Sequence, residues 1–178
     1  MNFDELIMER QSDRRYDTSR AVEDEKLMEC IASARLAPSA CNAQPWKFIV
    51  VKNDELRTKT GDYAASMGMN RFCIDAPAIV ALVLEKPNFT SKVGSVLQGK
   101  EYTLIDTGIV AYHFCLKARD LGLGTCMIGW FNEKKTKALL GVPSSRRIPL
   151  LITVGYRAGE LREKTRKKLS DIYSIDKY

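Results

Sequence analysis

Residues 102 to 121, from Tyr102 to Leu121, are apolar on nearly every side of a helical projection, and no other segment constrains the fold as much. A helix with a polar face can lie on a surface, but one without must be surrounded, so this stretch predicts a buried central helix. Gly108, Ala111, Cys115 and Ala118 recur along it at three- and four-residue spacing. Such a stripe of small side chains lets a second helix approach closely. Gly122 and Gly124 are expected to end the helix. Asp106, within it, needs a partner to stay charged and reads as a structural carboxylate bonding the backbone. His113 and Cys115 stand two apart on one helix and cannot face each other as a nucleophile pair. Both read as core or interface residues.

The flanking patterns alternate between helical and extended. Phe3, Leu6, Ile7 and Arg10 give a helix over 2–11, with Asn2 and Glu5 spaced as a capping box. Leu27, Cys30, Ile31 and Ala34 give a second over 23–36. A strand at 48–51 precedes a polar helix from Asp54 to Met67 and a loop from Asn70 to Pro77. Ala78–Leu84 reads as a strand buried on both faces. Thr125–Ile128 is a short strand, Asn132 caps a helix closing at Gly141-Val142-Pro143, and Leu150–Tyr156 is the last core strand. No repeat or linker divides the chain, so residues 1–178 are expected to form one domain, large enough for a core without disulfide or metal support. The apolar run 78–84 is far too short to cross a bilayer. The opening Met1-Asn2-Phe3-Asp4-Glu5 lacks a basic region, so no secretory signal is expected. The 5 cysteines lack Cys-x-x-Cys spacing and read as reduced thiols in a cytoplasmic protein. With 1 histidine and no clustered ligand set, no metal site is expected.

Three polar segments carry the chemistry. Pro38-Ser39-Ala40-Cys41-Asn42-Ala43-Gln44-Pro45-Trp46 stands between a helix and a buried strand. Its prolines fix φ and bias Ala37 and Gln44 away from helix. Ser39, Asn42 and Gln44 offer donors and acceptors of little bulk, suited to a polar planar ligand or to an ordinary surface turn. Arg10-Gln11-Ser12-Asp13-Arg14-Arg15-Tyr16 lies near the start and Arg162-Glu163-Lys164-Thr165-Arg166-Lys167-Lys168 near the end. Forked cations with a hydroxyl suit a phosphate monoester. The net charge of +6 raises nucleic acid as a partner, but no aromatic residues interleave the basic run. Neither Gly-x-Gly-x-x-Gly nor a Walker-type loop is present.

These three motifs, in this order, resemble the FMN-dependent nitroreductase family. Its members carry Arg-x-Ser-x-Arg/Lys near the start, Pro-Ser-x-x-Asn-x-Gln-Pro-Trp after the second helix and a Lys/Arg-x-Arg tail. The resemblance runs over roughly residues 2 to 172. It implies an α+β, three-layer fold, with a mixed, mostly antiparallel sheet flanked by helices, assembled as an intertwined homodimer with FMN at the subunit interface. It implies that Arg10, Gln11 and Ser12 reach the ribityl chain and phosphate. Arg14 would lie near flavin N1 and O2, where two-electron reduction leaves negative charge. Lys164 and Arg166 correspond to the family's phosphate ligands, with Lys168 a weaker candidate. It implies that Pro38, Ser39, Ala40, Asn42 and Gln44 bind the cofactor, with the Pro38, Ser39 and Asn42 side contributed by the partner chain. Asn70 resembles an asparagine that pairs with the pyrimidine edge. Ile128, Gly129 and Trp130 match a segment whose backbone amides meet N5 and O4. Many members have acidic or Gly-Gly residues there, so Trp130 departs from them and serves either as pocket wall or as core anchor.

The resemblance implies electron transfer from NADH or NADPH through FMN to nitroaromatic, quinone or related acceptors by a ping-pong mechanism. Alternatives are the same fold and cofactor with other chemistry (dehydrogenation, dehalogenation or flavin fragmentation), or a basic nucleic-acid-binding module. No nucleic acid and no membrane are the expected partners.

Overall fold

The computed structural model describes residues 1–65, 68–86, 88, 90, 97 and 99–178. Among these, the elements run α1 (Phe3–Glu9), α2 (Asp24–Ala34), β1 (Trp46–Val51), α3 (Asp54–Ala64), β2 (Ala78–Leu84), α4 (Tyr102–Asp120), β3 (Leu123–Ile128), α5 (Glu133–Leu139) and β4 (Arg147–Tyr156). Residues 66 and 67, the expected end of the third helix, lie outside the described residues.

The strands form one sheet in the order β1-β2-β4-β3, antiparallel at every pairing. Among the described residues, the parallel component is a single bridge between Ser12 and Thr125. Because side chains alternate along a strand, β2 feeds two cores at once. Ala78, Val80 and Leu82 face a cluster with Leu27 and Cys30 of α2 and Val110, Ala111 and Phe114 of α4. Ile79, Ala81 and Val83 face a second cluster with Ala64 of α3, Cys73, Ile128 and Ile148. Helices therefore lie on both faces of the sheet, giving three layers. The Phe48 and Phe114 rings stack 5.9 Å apart and join β1 to α4. No helix among the described residues is long and apolar enough to cross a membrane.

Several boundaries differ from the sequence reading. The Asn2–Glu5 capping box forms as expected, but α1 stops at Glu9 and Arg10 turns to extended backbone. Only Gly122, at φ +83, serves to end α4; Gly124 lies inside β3. There an added Cβ would sit 2.6 Å from the Asp13 carboxylate, so this glycine admits a neighbouring chain rather than ending a helix. β4 begins three residues early, at Arg147, because its register against β2 shifts between Leu82 and Leu84. Pro149 falls at this irregularity, where a missing N–H is tolerated. Asn70, at φ +55, leads into a 3₁₀ turn over Arg71–Cys73 within the expected loop.

Candidate functional site

Past α1 the chain runs alongside the edge strand β3. Ser12 bridges Thr125, and the Asp13 N–H donates to Thr125 O at 2.8 Å. On its other side lies the segment after β4, where Tyr16 bridges Arg157 and the Ala158 N–H donates to Arg15 O at 3.1 Å. The two chain ends thereby meet, about 150 residues apart in sequence. Between them opens a cavity of about 260 Å³ lined by Arg10, Gln11, Ser12, Arg14 and residues 162–166.

Cations dominate this cavity. Lys164 Nζ donates to Arg10 O at 2.8 Å, Arg162 Nη2 to Ser12 O at 2.6 Å, and Arg166 Nη1 to Thr165 O at 2.7 Å. All three acceptors are neutral carbonyls. Among the described residues, none of Arg10, Arg14, Arg162, Lys164 and Arg166 forms an ion pair. Arg10 Nε is buried without a hydrogen-bond partner, while its guanidinium sits 5.5 Å over the Tyr112 ring. Burial pushes the Lys164 ammonium below its ordinary pKa; Arg10, Arg166 and Arg157 push it further, with Asp13 opposing. Unpaired cations held this close favour an anion between them.

Gln11 differs from its neighbours. Its side chain is 8% exposed, and both amide hydrogens and the carbonyl are taken by protein groups. Its side chain therefore works as scaffold. Arg15 is exposed and does not line this cavity.

The 38–44 loop is built separately. Cys41, Asn42 and Gln44 take φ of 52°, 49° and 46°, left-handed values that cost roughly 1–3 kcal/mol each and persist where surroundings enforce them. Ser39 Oγ accepts from the Gln44 N–H at 2.9 Å, Gln44 Nε2 donates to Asn42 Oδ1 at 3.0 Å, and Asn88 Nδ2 donates to Cys41 O at 3.0 Å. The Ala40 N–H donates to Asp106 Oδ1 at 3.0 Å, so Asp106 bonds the backbone as expected. This loop sits against α4, and none of Pro38, Ser39, Ala40, Asn42 or Gln44 lines the basic cavity.

At the far end of β3, Ile128 is buried and has only backbone to offer. A Cβ at Gly129 would meet one atom, at 3.9 Å. Packing does not demand a glycine there, and its absent side chain leaves the main chain bare. Trp130 is 54% exposed, which removes the core-anchor alternative. Its carbonyl accepts from Asn70 Nδ2 at 3.1 Å, joining the 70–73 turn to the end of β3. The Arg14 guanidinium lies 6.0 Å from the centroid of the Phe72 ring in that turn. Arg14 thus stands between the cation cavity and the Trp130 end. His113 Nδ1 contacts Ile109 O at 3.0 Å, and burial pushes the Cys115 thiol up to about 11, so neither forms a nucleophile pair.

Sequence reasoning missed the organising role of Asp13, 4% exposed, and the contribution of Phe72. Asp13 sits inside the Arg-x-Ser-x-Arg motif at an unspecified position, and only the close approach at Gly124 marks it.

The chain matches the Nitroreductase family model over residues 7–70 and 65–156. It is 28% identical to the oxygen-insensitive NADPH nitroreductase of Helicobacter acinonychis, covering 92% of this chain and 91% of that protein. It is 26% identical to the protein of the same name from Helicobacter pylori strain J99, over 94% of this chain and 93% of that one. A crystal structure of a nitroreductase family protein from Clostridium novyi NT superposes with a TM-score of 0.78 at 34% identity, covering 88% and 87% of the two chains. With a three-layer fold, a cation cavity joining both termini and this match over most of its length, the chain belongs to the nitroreductase family.

Proposed function

We propose that the chain is an NAD(P)H-dependent FMN oxidoreductase whose flavin site is completed by a second copy of itself. The observation that carries this reading is the cavity between the termini, where five cations converge and none is ion-paired among the described residues. Those residues fit a phosphate monoester: Arg10 and Arg166 supply forked donors, Lys164 a point charge and Ser12 a hydroxyl. The buried, unpartnered Arg10 Nε is a donor such an anion would satisfy.

The remaining residues of this chain orient and tune the cofactor. Arg14, exposed and without an ion-pair partner among the described residues, supplies positive charge beside the pyrimidine end of the ring system. The bare backbone at Gly129 admits close approach, and the exposed Trp130 indole walls the acceptor side. Ser39, Asn42 and Gln44 present the remaining polar contacts from the partner. FMN, when bound, supplies a two-electron carrier that accepts from NADH or NADPH and then reduces a nitroaromatic, quinone or related acceptor in a ping-pong sequence.

The homodimer is supported by what α4 leaves uncovered. Leu104, Ile105, Gly108 and Tyr112 are exposed on one helix surface, beside Phe3 and Met8 of α1. The buried side of α4 packs on the sheet, so this second apolar stripe calls for a partner surface. The 5 cysteines are all free, in keeping with a reducing, cytoplasmic setting.

The direct test is the colour of the purified protein, followed by rapid mixing with NADH and NADPH. A yellow protein bleached by either nucleotide and reoxidised by a quinone supports the reading. A colourless protein that does not take up added FMN contradicts it.

A further inference from the structure

The basic segment is exposed and irregular, and almost no main chain holds it in place. Beyond the Ala158 N–H bond to Arg15 O, no backbone–backbone hydrogen bond joins residues 159–166 to residues 10–14 among the described residues. Yet Lys164 and Arg166 line the same cavity as Arg10 and Ser12. The Gln11 side chain takes the place of the missing ladder. Its Nε2 donates to Glu160 O at 3.1 Å, and its Oε1 accepts from the Arg162 N–H at 3.0 Å. One primary amide thus reads a carbonyl and an N–H two residues apart, as a neighbouring peptide unit would.

The second Nε2 hydrogen donates to Asp13 Oδ1 at 2.8 Å. An ionised carboxylate can only accept, so this contact fixes which end of the amide faces Glu160 O and which faces Arg162 N–H. Asp13 is itself held. Its N–H donates to Thr125 O, its carbonyl accepts from Tyr16 Oη at 2.8 Å, and its carboxylate lies 3.3 Å from Arg157 Nε. The room for that carboxylate comes from Gly124, where a Cβ would collide with it.

We propose that Gln11 and Asp13 are a positioning pair that latches the C-terminal basic segment onto the N-terminal loop, so that the anion site exists only while the latch is closed. This rests on the reading that Arg10, Ser12, Lys164 and Arg166 together hold a phosphate. Gln11 acts through the strap and does not touch the ligand with its side chain.

The test compares wild type, Gln11→Leu, Gln11→Glu and the double variant Gln11→Glu with Asp13→Asn. Two readouts are used: trypsin cleavage within residues 162–168 under native conditions, and calorimetric affinity for inorganic phosphate and FMN. Gln11→Leu keeps the volume and removes both Gln11 bonds to the strap, leaving those of Arg162 to Ser12 O and Lys164 to Arg10 O, so cleavage should accelerate and phosphate affinity fall, each by about tenfold. Gln11→Glu sets two carboxylates against each other and should open the strap as far. The double variant exchanges donor and acceptor across the same contact, and should recover part of both the protection and the affinity. A residue needed only for stability would lower the thermal midpoint without exposing the strap in the native state.

If Gln11→Leu and Gln11→Glu keep wild-type protection and affinity, the latch is wrong. If Gln11→Leu fails to fold, Gln11→Glu with its double variant decides; if Gln11→Glu fails to fold, Gln11→Leu decides; a double variant no better than Gln11→Glu also overturns the proposal. If wild type binds neither phosphate nor FMN while the variants still open the strap, the latch stands and the phosphate reading fails.

Discussion

The cation cavity and the 38–44 loop are both polar, shaped and rich in hydrogen bonds, yet they are finished to different degrees. The cavity is assembled within one chain, from segments about 150 residues apart, and its five cations outnumber the Glu163 carboxylate that shares the lining. The loop satisfies its own groups through Ser39, Asn42, Gln44 and Asp106, at the cost of three left-handed residues, and lines no part of the cavity. Beside it, Leu104, Ile105 and Tyr112 of α4 are exposed. A site complete in one chain needs only its ligand. A rigid loop beside an unburied apolar stripe needs another surface. On the proposed reading, cofactor charge belongs to one region and subunit assembly to the other, and the contrast can be attacked at either end.

The largest effect is expected at the cavity. Replacing Lys164 and Arg166 together by Ala removes two charge-assisted contacts to an anion and should weaken FMN by at least about a hundredfold. Equilibrium dialysis against FMN reads this, and the dimer should survive. The loop side is broken by Gly108→Arg. Within its own chain a Cβ at Gly108 meets nothing within 4 Å, and Gly in a helix interior costs about 1 kcal/mol relative to better formers. The isolated chain should therefore tolerate the change, whereas a dimer packed on this stripe should dissociate. Light scattering reporting an intact dimer would move the interface elsewhere.

A smaller effect isolates Arg14. Losing its positive charge should lower the flavin midpoint potential, by about 30 mV for each 1.4 kcal/mol of lost electrostatic stabilisation. Arg14→Lys should recover part of that shift. A redox titration of both variants checks this, with FMN affinity falling less than in the Lys164/Arg166 variant. The smallest effect is the pH response of Lys164. Its folded pKa is lowered, so between that value and the ordinary lysine value near 10.4 the unfolded chain binds the extra proton. Stability of the ligand-free protein should rise slightly with pH through this window, while phosphate affinity should fall because anion binding favours the charged ammonium. Lys164→Ala should flatten both slopes.

The same contrast governs what the sequence made legible. Periodicity identified α2, β2 and α4 within a residue or two, because their apolar faces are long and unambiguous. Boundaries slipped where backbone chemistry competes with pattern: Arg10 leaves the helix to reach the cavity, Pro149 is absorbed at a register shift, and Gly124 serves as spacer. The convergence of Arg10, Ser12, Lys164 and Arg166 was readable only through resemblance, since no local rule joins the two ends of a chain. Gln11 was expected as a ligand because it lies among residues expected to be ligands. Its use as a tether depends on Glu160, Arg162 and Asp13, three contacts that residue types alone do not specify. Trp130 was ambiguous between wall and core, and its exposure was decided by where β3 ends.

The central claim is that one chain builds the phosphate half of the flavin site and a second copy completes it. Sedimentation velocity of the purified holoprotein, recorded at once in protein and visible flavin absorbance, tests this most directly. The account predicts that all flavin colour travels with a species of twice the 20.1 kDa chain mass, and that any monomer is colourless. Flavin sedimenting with the monomer at full occupancy would contradict it.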